Sequence, residues 1–233
     1  MKLAIALDLD TYEENIRLAK ELTGKALMFK IGLRSYLRDG FKIIETLKNI
    51  DSNFEIFLDL KLYDIPNTMA DASMVIASLG VDLFTIHASS GKRGISEVRD
   101  RLEKLQKKPL MFAVTALTSF EDSEFKRIYG KDINTKALEL AIEAKDGGSD
   151  GVVCSVFESK KIKEYIKDIL TLTPGIRPFE YGEDDQRRVA TIEEAKKELS
   201  DIIVIGRPIY KSRNPQATVD EILSMITKCD SSI

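Results

Sequence analysis

The chain has 233 residues, of which 43% are hydrophobic and 31% are charged, and its formal net charge at pH 7 is −3. This composition is typical of a globular protein with a sizeable core, and the lack of a basic excess argues against nucleic-acid binding. Asp8 and Asp10 interrupt the N-terminal apolar run too early for a signal peptide, and no apolar stretch approaches the length of a membrane span. The two cysteines, Cys154 and Cys229, form no metal-binding or redox motif, which favours a reduced, cytoplasmic protein.

Short apolar runs that are rich in β-branched residues recur along the whole chain. Runs that are apolar throughout, rather than strictly alternating, are typical of parallel strands that are covered by helices. The sequence therefore predicts eight strands, at 3–9, 27–32, 54–61, 81–88, 110–117, 151–156, 169–176 and 201–208.

Amphipathic, charge-rich segments with helical spacing lie between these runs. Examples are 11–24, 134–148, 159–168, 191–200 and 218–228. Eight strand–helix units in about 230 residues predict an α/β fold, a (β/α)8 TIM barrel that forms a single domain over residues 1–233. The alternative is a doubly wound open sheet, which usually has fewer strands and a glycine-rich first turn; neither G-x-G-x-x-G nor G-x-x-x-x-G-K-[ST] occurs here.

Polar or charged residues stand at or just after the ends of the predicted strands. They are Asp8, Lys30, Asp59, Lys61, His87, Thr118, Ser155, Arg177 and Arg207. In barrels of this kind the active site lies at the carboxyl ends of the strands, so these residues are candidates for function. Any one of them, taken alone, has the simpler interpretation of a solvated surface residue.

The third predicted strand makes the strongest case for chemistry. In "IFLDLKLYDIPNT" (56–68), Asp59 and Lys61 stand two residues apart and therefore share a face of the strand, and Asp64 follows three residues later. A buried charge is costly unless it is paired with good geometry. Acids and bases that alternate at a strand end favour a catalytic site, in which protonation states are set before the reaction; a structural salt bridge is the alternative.

A second group of candidates follows the seventh and eighth predicted strands, in "TPGIRPFEYGEDDQRR" (173–188) and "GRPIY" (206–210). Barrels commonly bind phosphate through the loops after these two strands. Arg207 next to Gly206 combines a guanidinium with close backbone approach, which suits a phosphate dianion. For Asp184 and Asp185 we expect a solvated loop.

Metal chemistry has little support in the sequence. His87 is the single histidine, so no histidine-rich metal site exists, and this residue is either a base or a structural histidine at a strand end. Asp8 and the two aspartates of the third segment are a conceivable Mg²⁺ site, but Lys30 and Lys61 bring positive charge to the same place. We therefore expect a site without metal.

The segment "IFLDLKLYDIPNTM" resembles the D-x-K-x-x-D-I-x-x-T signature of the orotidine 5′-phosphate decarboxylase family, matching it at Asp59, Lys61, Asp64, Ile65 and Thr68. Further segments appear in the order of that family: "ALDLD", "FKIG", "VTALTS", "DGVVCS", "TPGIRP" with "DQRR", and "IGRPIY". The resemblance runs from about residue 4 to about residue 215. One departure is that the family often has a Gly-Gly pair after the fourth-strand histidine, where this chain reads "HASSGKRG".

The resemblance implies cofactor-free decarboxylation of orotidine 5′-monophosphate (OMP) to UMP and CO₂, the last step of de novo pyrimidine nucleotide synthesis. It also implies a homodimer with shared active sites, in which the partner subunit donates Asp64 and Thr68. The catalytic network implied by the family pattern is Lys30, Asp59, Lys61 and Asp64, with Lys61 as the proton donor to C6.

The family pattern also implies contacts to each part of the substrate. Asp8 and Lys30 are expected at the ribose hydroxyls, and Thr118 at the amide edge of the pyrimidine. The phosphate contacts are expected from Arg177, Gln186, Gly206 and Arg207. The segment "RPFEYGEDDQRR" (177–188) is predicted to be a mobile lid over the phosphate.

Three other interpretations compete with this one. The nearest is a Mg²⁺-dependent sugar-phosphate decarboxylase or aldolase of the same barrel group, whose activity a chelator would abolish. The second is a non-catalytic phosphate-binding module that retains the barrel, although none of the charged residues is missing here. The third is one domain of a larger bifunctional pyrimidine enzyme, for which this chain has no room.

Overall fold

A computed structural model describes residues 1–25, 27–179 and 188–228. In this part of the chain eight parallel strands pair in chain order, and the last pairs with the first to close a barrel. The strands are β1 (Lys2–Ala6), β2 (Met28–Gly32), β3 (Glu55–Leu62), β4 (Leu83–His87), β5 (Leu110–Val114), β6 (Gly151–Val153), β7 (Leu170–Thr173) and β8 (Ile202–Ile205). The prediction of a (β/α)8 barrel is confirmed.

Helices connect successive strands, and further helices follow β8. They are α1 (Tyr12–Glu21), α2 (Leu33–Asp39), α3 (Lys42–Ile50), α4 (Pro66–Ser78), α5 (Gly91–Leu102), α6 (Asp122–Tyr129), α7 (Ile133–Asp146), α8 (Val156–Tyr165), α9 (Ile192–Lys197), α10 (Arg207–Tyr210) and α11 (Pro215–Lys228). Capping residues fix where some of these helices begin. Thr11 and Glu14 form a reciprocal capping box at the start of α1, and Thr191 and Glu194 form one at the start of α9. None of the helices in the described ranges has the length and apolar character needed to cross a bilayer.

Several predicted strands run past the observed strand ends. The run 3–9 continues beyond β1, and the run 110–117 continues beyond β5, because Leu7 and Ala116 are still buried after strand pairing has stopped. Arg207 does not end the eighth strand as predicted; it is the first residue of α10. Apolar character follows burial, and burial continues into the loops at the carboxyl end of the barrel.

Side-chain alternation divides the barrel into an outer and an inner core. On β4, Phe84 and Ile86 belong to the core between strands and helices, whereas Leu83 packs with Met28 and Phe57 in a separate inner cluster. Two residues further along their strands, and thus on the same inner face, stand Lys30, Asp59 and Thr85. The polar layer therefore lies directly on the apolar interior of the barrel.

Candidate active site

A cavity of about 310 Å³ opens at the carboxyl ends of the strands. Its apolar lining consists of Ala6, Phe57, Val114, Val153, Leu172 and Val204, among others. Its polar lining includes Asp8, Lys30, Asp59, Lys61, Thr118, Arg177 and Arg207, and Gly206 contributes backbone. Eight of the residues that the sequence analysis assigned to the site thus line one cavity.

The charged side chains form an array in which the signs alternate. Lys61 Nζ donates a hydrogen bond of 2.8 Å to Asp59 Oδ2. Lys30 Nζ lies 4.0 Å from the same Asp59 oxygen and 3.2 Å from Asp8 Oδ2. The order Lys61–Asp59–Lys30–Asp8 places each charge beside an opposite one, so the array tolerates partial burial.

Asp59 is the most constrained carboxylate of the array, with its side chain 14% exposed. Burial by itself raises the pKa of Asp59, but the positive charges of Lys30 and Lys61 and hydrogen bonds from Lys61 and Thr85 oppose it. The balance holds the pKa of this carboxyl below its ordinary value. Asp59 is therefore ionised at neutral pH and keeps a negative charge between the two ammonium groups.

Lys61 reaches the cavity through an irregular backbone. Its φ of 54° lies in the left-handed region, which residues with long side chains rarely adopt. The pairing of β3 with β4 shifts register between Leu58 and Leu62, as at a β-bulge. Regular alternation was thus the wrong reason for predicting that Asp59 and Lys61 share a face, although both side chains do line the cavity.

His87 lies beside the charged array rather than in the cavity lining described here. Its ring stacks on Tyr63 with 5.5 Å between centroids, and its Nδ1 accepts a hydrogen bond of 3.2 Å from the Ser89 N–H. Burial and the charge of Lys61 lower the pKa of His87. This is the geometry of a neutral structural histidine.

The "HASSGKRG" segment, which departs from the family pattern, forms a 3₁₀ turn over Ala88–Ser90, followed by Gly91 with a φ of 72°.

Among the described residues that line the cavity, neither Asp64 nor Thr68 of the same chain is found. Both are exposed, and Asp64 Oδ1 accepts a hydrogen bond of 2.7 Å from the Ile65 N–H. Their neighbours Tyr63 and Ile65 are also largely exposed, at 65% and 66%. Two conspicuous apolar side chains therefore accompany the two signature residues on the surface.

The segments after β7 and β8 bring the residues predicted to bind phosphate to the same cavity. Arg177, Gly206 and Arg207 line it, together with Tyr210, which the sequence analysis did not single out. Space is tight at Gly206: a Cβ there would lie 3.2 Å from Ala6 Cβ and 3.3 Å from Tyr210 Cε1, so the neighbouring side chains would have to shift slightly to admit it. Gln186, Asp184 and Asp185, most of the predicted lid at 177–188 and Cys229 lie outside the described residues.

A buried ion pair that the sequence analysis missed joins the first turn of α8 to the segment that follows β7. Arg188 pairs with Glu158, whose side chain is 3% exposed, and also donates a hydrogen bond of 3.3 Å to the Leu117 carbonyl. Glu158 in turn accepts a hydrogen bond of 2.9 Å from the Ser155 N–H at the start of α8. Arg188 ends a segment that was noted (173–188), whereas Glu158 falls between two predicted elements, and the sequence contains no signal that pairs the two residues.

Metal ligands are not clustered in the described ranges: no group of three or more His, Cys, Asp or Glu side chains in 1–25, 27–179 and 188–228 could hold a metal ion. The two carboxylates of the array, Asp8 and Asp59, already lie within 4.0 Å of Lys30. An ammonium group at this distance supplies the positive charge that a cation would otherwise provide.

Comparison with known proteins finds relatives over nearly the whole chain. The model of the Orotidine 5′-phosphate decarboxylase / HUMPS family matches residues 1–222. The orotidine 5′-phosphate decarboxylase of Wolinella succinogenes is 54% identical over 227 residues, covering 97% of this chain and 100% of the relative. That of Nautilia profundicola is 56% identical over 229 residues, covering 97% of this chain and 99% of the relative.

A solved structure of the same family has the same fold as this chain. The orotidine 5′-phosphate decarboxylase from Lactobacillus acidophilus superposes with a TM-score of 0.83 at 33% identity, covering 97% of this chain and 99% of that one. Both the sequence and the architecture are shared over nearly the full length. The chain therefore belongs to the orotidine 5′-phosphate decarboxylase / HUMPS family, and its enzyme class is that of the carboxy-lyases.

Proposed function

We propose that this protein removes the C6 carboxylate of OMP to give UMP and CO₂ without a cofactor, within one barrel domain over residues 1–233. The observation that carries the proposal is the alternating Lys61–Asp59–Lys30–Asp8 array at the mouth of the cavity. The relatives that are more than half identical to this chain bear the name of that activity. A cavity of about 310 Å³ suits a single nucleotide.

Lys61 is the proposed proton donor. When the bond between C6 and the carboxylate breaks, CO₂ departs and the electron pair stays in an in-plane orbital at C6, where the ring cannot delocalise it. An ammonium group at that carbon stabilises the developing negative charge and then transfers its proton, so that a C6–H bond replaces the C6–C bond. Lys61 lines the cavity and is held by Asp59, which supports this assignment.

Asp59 has two candidate roles, and one of them has direct support. A carboxylate close to the substrate carboxylate repels it and raises the energy of the bound substrate. A carboxylate that binds the lysine keeps it charged and aimed at C6. The hydrogen bond of 2.8 Å between Lys61 and Asp59 supports the second role. Lys30 then screens Asp59 on its other side, at 4.0 Å.

The remaining cavity residues are assigned to the parts of the nucleotide that do not react. Asp8 and Lys30 would bind the ribose hydroxyls, and Thr118 the amide edge of the pyrimidine. Arg177, Arg207 and Gln186 would bind the phosphate, with Gly206 allowing close backbone approach. Binding energy from the phosphate can then be used to offset the cost of closing the site and distorting the substrate at C6.

We further propose that the protein acts as a cytoplasmic homodimer in which Asp64 and Thr68 complete the active site of the partner subunit. Both residues are exposed and outside the cavity lining described for their own chain. The exposed Tyr63 and Ile65 on either side of Asp64 would be buried by such an interface.

The test is an assay of the EDTA-treated protein with OMP, in which loss of the orotate absorbance is followed. Wild-type activity should survive the chelator, and Lys61→Ala should lower kcat by at least about a thousandfold, since it removes both the proton donor and the neighbouring positive charge. Lys107→Ala, at an exposed position between α5 and β5, is the matched control and should retain full activity.

Two results would contradict the proposal. Activity that requires added Mg²⁺, or that is confined to sugar phosphates, would favour the metal-dependent sugar-phosphate decarboxylase or aldolase. Full activity of the Lys61→Ala variant would leave the reaction in place and remove Lys61 as its acid.

A further inference from the structure

Thr85 lies immediately behind the charged array. It is on the inner face of β4, it is fully buried, and the cavity lining described above does not include it. Its hydroxyl makes two hydrogen bonds of 3.0 Å to β3: it accepts from the Lys61 backbone N–H and donates to Asp59 Oδ1. One side chain therefore contacts both the proposed proton donor and the carboxylate that holds it.

The bulge between β3 and β4 explains why a side chain is needed at this place. Leu58 pairs with Phe84 and Leu62 pairs with Ile86, so three residues of β3 stand opposite Thr85 alone. At such an interruption the regular ladder cannot satisfy every backbone group. The Thr85 hydroxyl replaces the missing carbonyl as the acceptor for the Lys61 N–H.

The direction of both hydrogen bonds follows from the chemistry of the partners. A backbone N–H can only donate, and an ionised carboxylate can only accept, so the hydroxyl has a single orientation between Lys61 and Asp59. The other Asp59 oxygen accepts from Lys61 Nζ at 2.8 Å. Both carboxylate oxygens are thereby fixed, and a closed ring of contacts joins the backbone of Lys61, Thr85, Asp59 and the Lys61 ammonium.

We propose that Thr85 is a positioning residue for the decarboxylation, because its hydroxyl holds the left-handed backbone of Lys61 and the Asp59 carboxylate in one fixed arrangement. This inference rests on the proposed function for its catalytic consequence, but its geometric part is independent of the reaction. A non-glycine residue at a φ of 54° persists only where the surroundings hold it, and Thr85 is the contact that does so at the Lys61 amide.

The test compares Thr85→Val, which replaces the hydroxyl by a methyl group of similar size, with Thr85→Ser, which keeps the hydroxyl. We expect the valine variant to lose kcat by on the order of a hundredfold, the scale of a misplacement of about 1 Å in a catalytic group. Its KM for OMP should change by less than about threefold, because Thr85 does not contact the cavity. The serine variant should retain kcat within about threefold of wild type.

Thr171→Val is the matched control for lost stability. Thr171 is also fully buried, on β7, and its hydroxyl bonds to Ser159 Oγ at 2.8 Å, away from the charged array. This variant should lower the melting temperature and leave kcat unchanged. Equal losses of kcat in Thr85→Val and Thr85→Ser, or a loss in Thr85→Val that is matched by Thr171→Val, would overturn the proposal.

Hydrogen exchange at the Lys61 amide provides a readout that needs no activity. The amide should be protected in wild type and in Thr85→Ser, and should exchange at least about tenfold faster in Thr85→Val. If the wild-type protein did not decarboxylate OMP, the proposed function would fail, and this exchange measurement would still decide whether Thr85 holds Lys61. Unchanged protection in Thr85→Val would refute the positioning role itself.

Discussion

At the scale of single residues, Asp59 shows how neighbours set the state of a functional group. Its carboxylate binds the Lys61 ammonium directly, lies 4.0 Å from Lys30 and accepts a hydrogen bond from Thr85. The sequence motifs predicted that Lys30 and Lys61 belong to the active site. It did not predict Thr85, because a threonine in an apolar strand is common and has no distinguishing pattern.

His87 supports a prediction about the pH dependence of stability. Burial, and after it the charge of Lys61, lowers the pKa of this residue in the folded protein, whereas an unfolded histidine titrates near about 6.5. As pH falls through about 6.5 the unfolded state binds the proton first, so the free energy of unfolding should decrease. His87→Asn should remove this part of the decrease.

The measurement is urea unfolding of both proteins at about pH 7.5 and at about pH 5.5, on either side of the titration of an unfolded histidine. His87 is the one histidine of the chain, so the difference between wild type and His87→Asn isolates its titration from that of all other groups. Identical changes in the two proteins would mean that His87 has the same proton affinity folded and unfolded.

At the scale of secondary-structure elements, β2 ends in a glycine that lies against the side-chain ends of Lys30 and Asp8. Gly32 has an ordinary φ of −83°, but a Cβ there would lie 2.9 Å from Lys30 Nζ and 3.0 Å from Asp8 Oδ1. Gly32→Ala should therefore displace the Lys30 ammonium from Asp8 and lower kcat/KM by about tenfold, without unfolding the barrel.

Steady-state kinetics and a circular-dichroism melt would check this prediction. Gly32→Val is the graded comparison, because its larger side chain should lower kcat/KM further than Gly32→Ala does. Wild-type kinetics in both variants would show that the space around Lys30 and Asp8 is not constrained.

The ends of the strands are the elements that the sequence predicted least well. The runs 3–9 and 110–117 overran β1 and β5, since buried apolar residues continue into the loops that surround the cavity. The ion pair between Glu158 and Arg188 also escaped prediction. It joins residues that are 30 positions apart, which follow the paired strands β6 and β7 and are brought together by that pairing.

At the scale of the whole molecule, the exposed position of Asp64 leads to a complementation test. Lys61→Ala and Asp64→Asn should each be nearly inactive. After complete subunit exchange in an equal mixture, half of the dimers are hybrids and each hybrid has one intact site, so activity should recover to about a quarter of wild type. Recovery requires that Asp64 acts in the partner's site.

The control is a mixture of Lys61→Ala with Asp59→Asn. Both residues line the cavity of their own chain, so each hybrid site lacks one of them and no activity should return. The cross-subunit role of Asp64 would be contradicted if the first mixture stayed inactive while labelled subunits demonstrably exchanged.

The amino-acid sequence by itself determined the class of the fold and the identity of the charged residues that line the cavity. Eight apolar runs separated by amphipathic segments suffice to predict a barrel, because the local spacing of apolar residues indicates which strands and helix faces are buried. The placement of charged residues at the strand ends then predicted the array, since all eight strands end at the same rim.

Tertiary structure alone decided how Lys61 is held and that Asp64 lies outside the cavity lining described for its own chain. The contacts of Thr85 with Lys61 and Asp59 join residues 24 and 26 positions apart, and they depend on the register of β3 against β4. Register is a property of the closed sheet, in which a bulge of β3 changes which groups meet. A local pattern specifies which residues are buried, and the packing of distant strands specifies which of them touch.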